Sequence, residues 1–203
     1  MEKLLDKDIR EPLFLFLEQH YEKTRFFEER NIWSARADIV MITDGSITGI
    51  EIKSDADSYA RLPNQVKTYD KFFDKNIIVV GSTHAAHAAE HVPSYWGIIS
   101  VENIAGALDF LVIREPGANP KLDWKKKLWI MWRPELAALQ EQFDIPKYKQ
   151  KSKEFVIGKI AERAGTKIEI DALNRAITDI LFERDYNTIA SDLKEYRRKN
   201  KKR

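Results

Sequence analysis

Asp44-Gly45 separates two runs of β-forming residues, 36–43 (RADIVMIT) and 46–53 (SITGIEIK), and nothing else in the chain constrains its fold so strongly. An Asp-Gly pair takes the left-handed backbone conformations that a two-residue hairpin turn demands. The two runs are therefore expected to pair antiparallel. Counting outward from such a turn sets Asp38 opposite Glu51 and Arg36 opposite Lys53. Because side chains alternate along a strand, Glu51 and Lys53 also share a face. The hairpin thereby gathers two carboxylates, a lysine and an arginine on one small patch, in a register that a looser turn would shift.

The rest of the chain arranges itself around this ribbon. A helix is expected after Asp8, where Leu13, Leu17 and Tyr21 recur at helical spacing and Asp8 with Glu11 makes a candidate capping box. Pro12 belongs in a first turn, so the helix should begin close to it. A strand is expected over 25–33, and helical periodicity returns from Leu62 to Phe73 through Val66 and Tyr69. Asn76 to Val80 (NIIVV) reads as a buried strand. A small helix from His84 to His91 and a strand from Tyr95 to Val101 follow. Helix, three strands, helix, strand, helix, strand is the order of an α/β sheet with a meander on one side and a parallel crossover after it.

Turn residues at 114–121 (REPGANPK) suggest a boundary. The division expected is a core over 1–115, a helical extension over 121–185 and a flexible basic tail over 186–203. The extension carries an apolar stripe (Trp124, Leu128, Trp129, Trp132), a helix started by Pro134 and two further helices near 152–163 and 170–184.

Composition narrows the class of protein. Hydrophobic residues make up 43% of the chain, enough for a packed core, and the absence of cysteine excludes disulfides, cysteine-ligated zinc, iron–sulfur clusters and a thiol nucleophile. The first twenty residues are broken by charges every few positions, unlike a signal peptide or membrane span, so a cytoplasmic protein away from membranes is expected. Net charge is only +2, but it is unevenly placed. Lys147, Lys149, Lys151 and Lys153 surround Tyr148, and seven cations against one acid crowd 194–203. Such stretches can neutralise nucleic-acid phosphates or simply be solvated ends.

Charges amid Ile39, Val40, Met41, Ile50 and Ile52 need a reason, because a buried charge is costly unless paired or bound to a metal. One reading is ordinary ion pairing, Asp38 with Arg36 and Glu51 with Lys53. The other is chemical. Carboxylates of Asp38 and Glu51, with the Ile52 carbonyl between Glu51 and Lys53, suit a hard cation such as Mg²⁺, and Lys53 can then orient a water or stabilise charge on phosphate. Gln65 and Tyr69, four apart on one helical face with Arg61 at the helix start, can hold a phosphate backbone.

These residues resemble the PD-(D/E)XK nuclease superfamily. Asp38 stands for its first acid, Glu51-Ile52-Lys53 for the E-x-K, and Gln65-Val-Lys-Thr-Tyr69 for the Q-x-x-x-Y of the RecB-type branch; Ala37 replaces the eponymous proline. The stretch also looks like a poorly characterised bacterial and phage group within that superfamily. The resemblance implies a restriction-endonuclease-like α-β-β-β-α-β core, a mixed sheet flanked by helices, with a C-terminal helical extension. It further implies a Mg²⁺-dependent nuclease, with Mn²⁺ able to substitute, that hydrolyses DNA phosphodiesters. Asp38, Glu51 and the Ile52 carbonyl would hold metal, Lys53 would assist the water, and Gln65, Tyr69, Arg36 and Arg61 would hold the substrate.

A third acid often lies on the first helix of such enzymes, with Glu11 the candidate and Glu28 or Glu29 the alternatives; His20 is a candidate for an upstream histidine. His84, His87 and His91 fall on one helical face but lack a ligand from a second element. The alternative function is a non-catalytic nucleic-acid-binding or assembly module that keeps the same fold. A homodimer or a protein partner would dock through the helical extension.

Overall fold

The computed structural model describes residues 4–32 and 35–184. Helix α1 (Asp6–His20) leads into strands β1 (Arg25–Ile32), β2 (Ala35–Thr43) and β3 (Ser46–Lys53). A single 3-10 turn, Tyr59–Arg61, runs directly into α2 (Leu62–Phe72), and β4 (Lys75–Gly81) follows. Two one-turn helices, α3 (Ser82–Ala85) and α4 (Ala88–His91), precede β5 (Gly97–Ile104) and β6 (Ala107–Arg114). The chain then turns helical: α5 (Trp124–Trp129), α6 (Arg133–Gln142), α7 (Lys153–Ala161) and α8 (Ile170–Phe182). The result is a mixed α/β fold with six strands and eight helices among the described residues.

Strands lie side by side in chain order. The β2–β3 hairpin pairs Thr43 with Ser46 and Ile39 with Ile50, the register of a two-residue Asp44-Gly45 turn, and Gly45 has φ +68°. β3 with β4 and β4 with β5 are parallel, because a helix carries the chain back over the sheet each time. These central strands are buried on both faces, which is why NIIVV reads as an unbroken apolar run.

Alternation divides the core in two. Ile39, Met41, Ile50, Ile52, Ile77 and Val79 face α1, where Ile9, Leu13 and Leu17 close one apolar layer. Val40, Ile42, Ile47, Ile78 and Val80 face the other way, onto α2 and the C-terminal helices, through Tyr69, Phe73, Leu128, Leu136, Ile157 and Ile177. Gly49 lets the Phe73 ring lie flat on the sheet: a Cβ there would come within 2.2 Å of the ring.

A buried ionic anchor ties the helices to the hairpin. The Lys127 ammonium donates to both Asp74 carboxylate oxygens, at 2.6 and 2.8 Å, and to Asn174 Oδ1 at 2.5 Å. Asp74 in turn accepts from the Ile47 amide at 2.8 Å. Lys127 is fully buried, and that burial lowers the ammonium's pKa against the opposing pull of Asp74.

Several expectations need correction. α1 starts at Asp6, so Pro12 lies inside the helix rather than in its first turn. Asp8 does not box with Glu11; its carboxylate reaches back to the Leu5 amide at 3.3 Å. The expected helix from His84 to His91 is broken into α3 and α4. The strand β6 falls where no element was expected: its inward residues Leu108, Phe110 and Val112 alternate with outward Leu111 and Ile113, and apolar residues on both sides mask the period. No helix among the described residues is long and apolar enough to cross a membrane. The basic tail over 186–203 lies outside the described residues.

Candidate functional site

At Asp38 the ladders on both sides of β2 are interrupted. Toward β3, the pairing recorded from the turn ends at Ile39 and Ile50, and the Asp38 carboxylate takes the Ile52 amide instead, at 2.9 Å. Toward β1, the pairs run on either side of Glu29 but skip it, and Glu29 sits at φ +49°. Side chains fill the gaps: the Asp38 amide donates to the Tyr69 hydroxyl at 3.3 Å, and Arg10 donates to the Asp38 carbonyl at 3.5 Å. The strands part here, and a cleft of about 680 Å³ opens between the hairpin, the start of α1 and α2.

The floor of the cleft is a closed polar network. Glu51 and Lys53 are almost fully buried, and the Lys53 ammonium donates to Glu51 Oε1 at 2.5 Å. The Gln65 amide donates to the same oxygen, and the Tyr69 hydroxyl donates to Glu51 Oε2 at 2.8 Å. Both oxygens of Glu51 are thus occupied by protein donors. Burial pushes the Asp38 carboxyl up to about 7, and the Glu51 charge adds to this, while the Ile52 amide pulls the other way. Burial likewise raises the Tyr69 hydroxyl far above its ordinary range.

The wall is different in character. Arg61, Lys67 and Lys71 line the cleft from the 3-10 turn and α2, all exposed, and none makes an ion pair among the described residues. Arg36 stands on the opposite rim and pairs with Glu29 at 3.3 Å.

Asp38, Glu51, Lys53 and Gln65 are therefore brought together, with Arg36 and Arg61 at the edge. Tyr69 lies beneath them with no exposed surface and only its hydroxyl in the network. Glu11 is exposed on α1 and does not reach the cleft; Asp6, one and a half turns earlier, does, paired with Arg10 at 2.7 Å. Glu28 and Glu29 lie outside the floor, within 3.5 and 3.8 Å of Arg10. His20 pairs with Glu115 at 2.9 Å at the far end of α1. Lys67, Lys71 and Asp6 were missed. The four-residue spacing of Lys67 and Lys71 on the helix that carries Gln65 was the available signal.

A divalent cation needs free oxygen ligands, and Mg²⁺ needs them in near-octahedral array. Glu51 commits both oxygens to Lys53, Gln65 and Tyr69, and Asp38 commits one to Ile52. Among the described residues no group of three or more His, Asp or Glu side chains is placed to hold an ion. As folded, Asp38, Glu51 and Ile52 do not fit a resident Mg²⁺.

Comparison with known proteins is decisive on kinship. The family model described as bacteriophage P4 protein cII matches residues 2–200. The chain belongs to this family. Protein cII of Enterobacteria phage P4 is 31% identical over 113 residues, which cover 56% of this chain and 42% of the relative. The match thus spans about two-fifths of the relative's length. No solved structure matches.

Membership in the cII family overturns the assignment to the PD-(D/E)XK superfamily. A match along nearly the whole chain outweighs a handful of spaced residues, because an acid–x–Lys on a strand and a Gln four before a Tyr on a helix also serve packing and ion pairing. The metal-dependent DNA hydrolase inferred from that resemblance falls with it. Here Glu51 and Lys53 form an ion pair, and Gln65 and Tyr69 hold Glu51 in place.

Proposed function

We propose that the protein is a non-catalytic nucleic-acid-binding module whose cleft grips the phosphate backbone of DNA. The observation that carries this reading is the contrast between wall and floor. Arg61, Lys67 and Lys71 are exposed cations without ionic partners among the described residues, whereas Glu51 beneath them is held by protein donors. Free cations on one helix face are what a polyanion meets; the acids act as internal braces that set the floor. Arg36 faces this wall from the opposite rim on β2, where it is paired with Glu29, and Gln65 is the neutral donor nearest the wall.

The reading includes the architecture. The order α1-β1-β2-β3-α2-β4 and the mixed sheet support a restriction-endonuclease-like core through residue 115, used as a scaffold, with a helical extension from residue 121. A cytoplasmic site of action is part of this reading, supported by the nucleic-acid partner it assigns; among the described residues no helix is long and apolar enough to cross a membrane.

Two measurements on the purified full chain test it. Labelled DNA should be retarded in a native gel at low salt, and supercoiled plasmid should stay intact in Mg²⁺, Mn²⁺ or EDTA. Plasmid nicking that EDTA abolishes would overturn the non-catalytic reading. Failure to retard any DNA would leave the ionic network as architecture alone.

A further inference from the structure

Eight large apolar residues are exposed among the described residues, and the two aromatic rings in that set, Trp129 at 39% and Phe155 at 37%, both lie on the neighbouring helices α5 and α7. Lysine ammoniums lie over both rings, one at Trp129 and two at Phe155. Lys153 Nζ lies 4.6 Å from the centre of the Trp129 ring and donates to the Trp129 carbonyl at 2.7 Å. Lys151 and Lys159 lie 5.5 and 5.7 Å from the Phe155 ring, and Tyr148 meets it edge-on at 5.2 Å.

Within the apolar stripe over 124–132, Leu128 is buried whereas Trp129 is partly exposed. Lys149 and Lys151 are exposed and make no ion pair among the described residues. Lys147 and Lys159 have acidic partners, Glu141 and Glu162, both exposed.

This surface adjoins the cleft. The Asp123 amide, at the cap of α5, donates to the Lys71 carbonyl at 3.1 Å, so the cation-bearing end of α2 abuts the start of α5. Lys125 and Trp129 then lie one turn apart along α5. Phe155 and Lys159 have the same spacing on α7.

We infer that the α5–α7 surface is a second nucleic-acid contact, one that takes the bases of a single strand on the Trp129 and Phe155 rings. The inference rests on the nucleic-acid reading of the cleft and adds the class of substrate. Exposed rings offer a face to any unpaired base, and lysines beside them hold the backbone that links those bases. A duplex keeps its bases stacked inside and presents only phosphates here, so it gains nothing from the rings. Charge selects this occupant over an apolar protein surface: a partner packed on Phe155 would bury the exposed Lys151 ammonium without a counter-charge among the described residues.

The test compares fluorescence anisotropy of labelled oligothymidylate and of a duplex of equal length, using wild type, Trp129→Ala, Phe155→Ala and Trp129→Phe. Circular dichroism and melting temperature establish that each variant is folded. Each alanine variant should weaken oligothymidylate binding about tenfold, leave duplex binding within about twofold, and be rescued at position 129 by phenylalanine. Equal losses on both nucleic acids, or no loss on either, would overturn the inference while leaving the cleft reading intact. So would a change of oligomeric state in the alanine variants without a change in binding. Wild type that binds neither form would sink the cleft reading, and this one with it.

Discussion

Replacing Asp38 by asparagine should stabilise the protein above neutral pH and flatten its pH profile. Asp38 is wedged between two parted strands, with Glu51 and Lys53 facing it from β3, Asp6 and Arg10 from α1 and the Tyr69 hydroxyl from α2, while Glu28 and Glu29 on β1 engage Arg10. Desolvation dominates, and the carboxyl keeps its proton to about pH 7. In the unfolded chain it releases that proton near pH ~4. Between those values the folded state holds a proton that the unfolded state has lost, so stability falls as pH rises through this window and stays low above it. The full difference corresponds to about 4 kcal/mol. Coupling to Glu51 and residual contact with water reduce the working figure to about 2 kcal/mol. The asparagine carbonyl can still accept from the Ile52 amide, so the strand junction survives. Urea unfolding of both proteins at pH 5, 6, 7 and 8 checks this. The variant should be the more stable by about 2 kcal/mol at pH 8, with the gap shrinking toward pH 5. Curves that run parallel across that range would refute the reasoning.

Further outcomes follow from the packing. Lys127→Met should cost about 3–5 kcal/mol in urea unfolding, because Asp74 loses its buried counter-charge while still bonded to Ile47. Gly49→Ala should destabilise by about 1–3 kcal/mol or prevent accumulation of folded protein, since its methyl would enter the Phe73 ring. Tyr69→Phe removes the donor to Glu51 Oε2 and should cost about 1–3 kcal/mol in the same assay, with little change in volume.

The sheet was legible where chemistry is local. Asp44-Gly45 specified its turn and, through it, the register from Thr43–Ser46 to Ile39–Ile50. Beyond Ile39 the counting rule stopped applying: Asp38 bonds to Ile52 through its side chain, a substitution of carboxylate for backbone that no alternation pattern reports. β6 was hidden because Leu111 and Ile113 are apolar yet outward. α1 was misplaced because Pro12 carried more weight than it deserved: helix packing through Ile9, Leu13 and Leu17 tolerates a proline in its interior. Asp38, Glu51, Lys53 and Gln65 do meet around one cleft, but the metal-dependent hydrolysis expected of them is overturned by the family match. Spacing shows which side chains meet; it does not show that Glu51 will satisfy Lys53, Gln65 and Tyr69 at once and leave no oxygen over. Lys67 and Lys71, which make no ion pair among the described residues, were visible only as a charge count until the helix face they share was fixed.

The salt dependence of DNA affinity tests most directly whether the α2 wall grips phosphate. For wild type, the logarithm of the association constant should fall against the logarithm of salt with a slope of about −3, as expected when three or four cations displace counterions. The variant Arg61→Glu, Lys67→Glu, Lys71→Glu should lose measurable binding while unfolding like wild type. Equal affinity and equal slope in the two proteins would contradict the account.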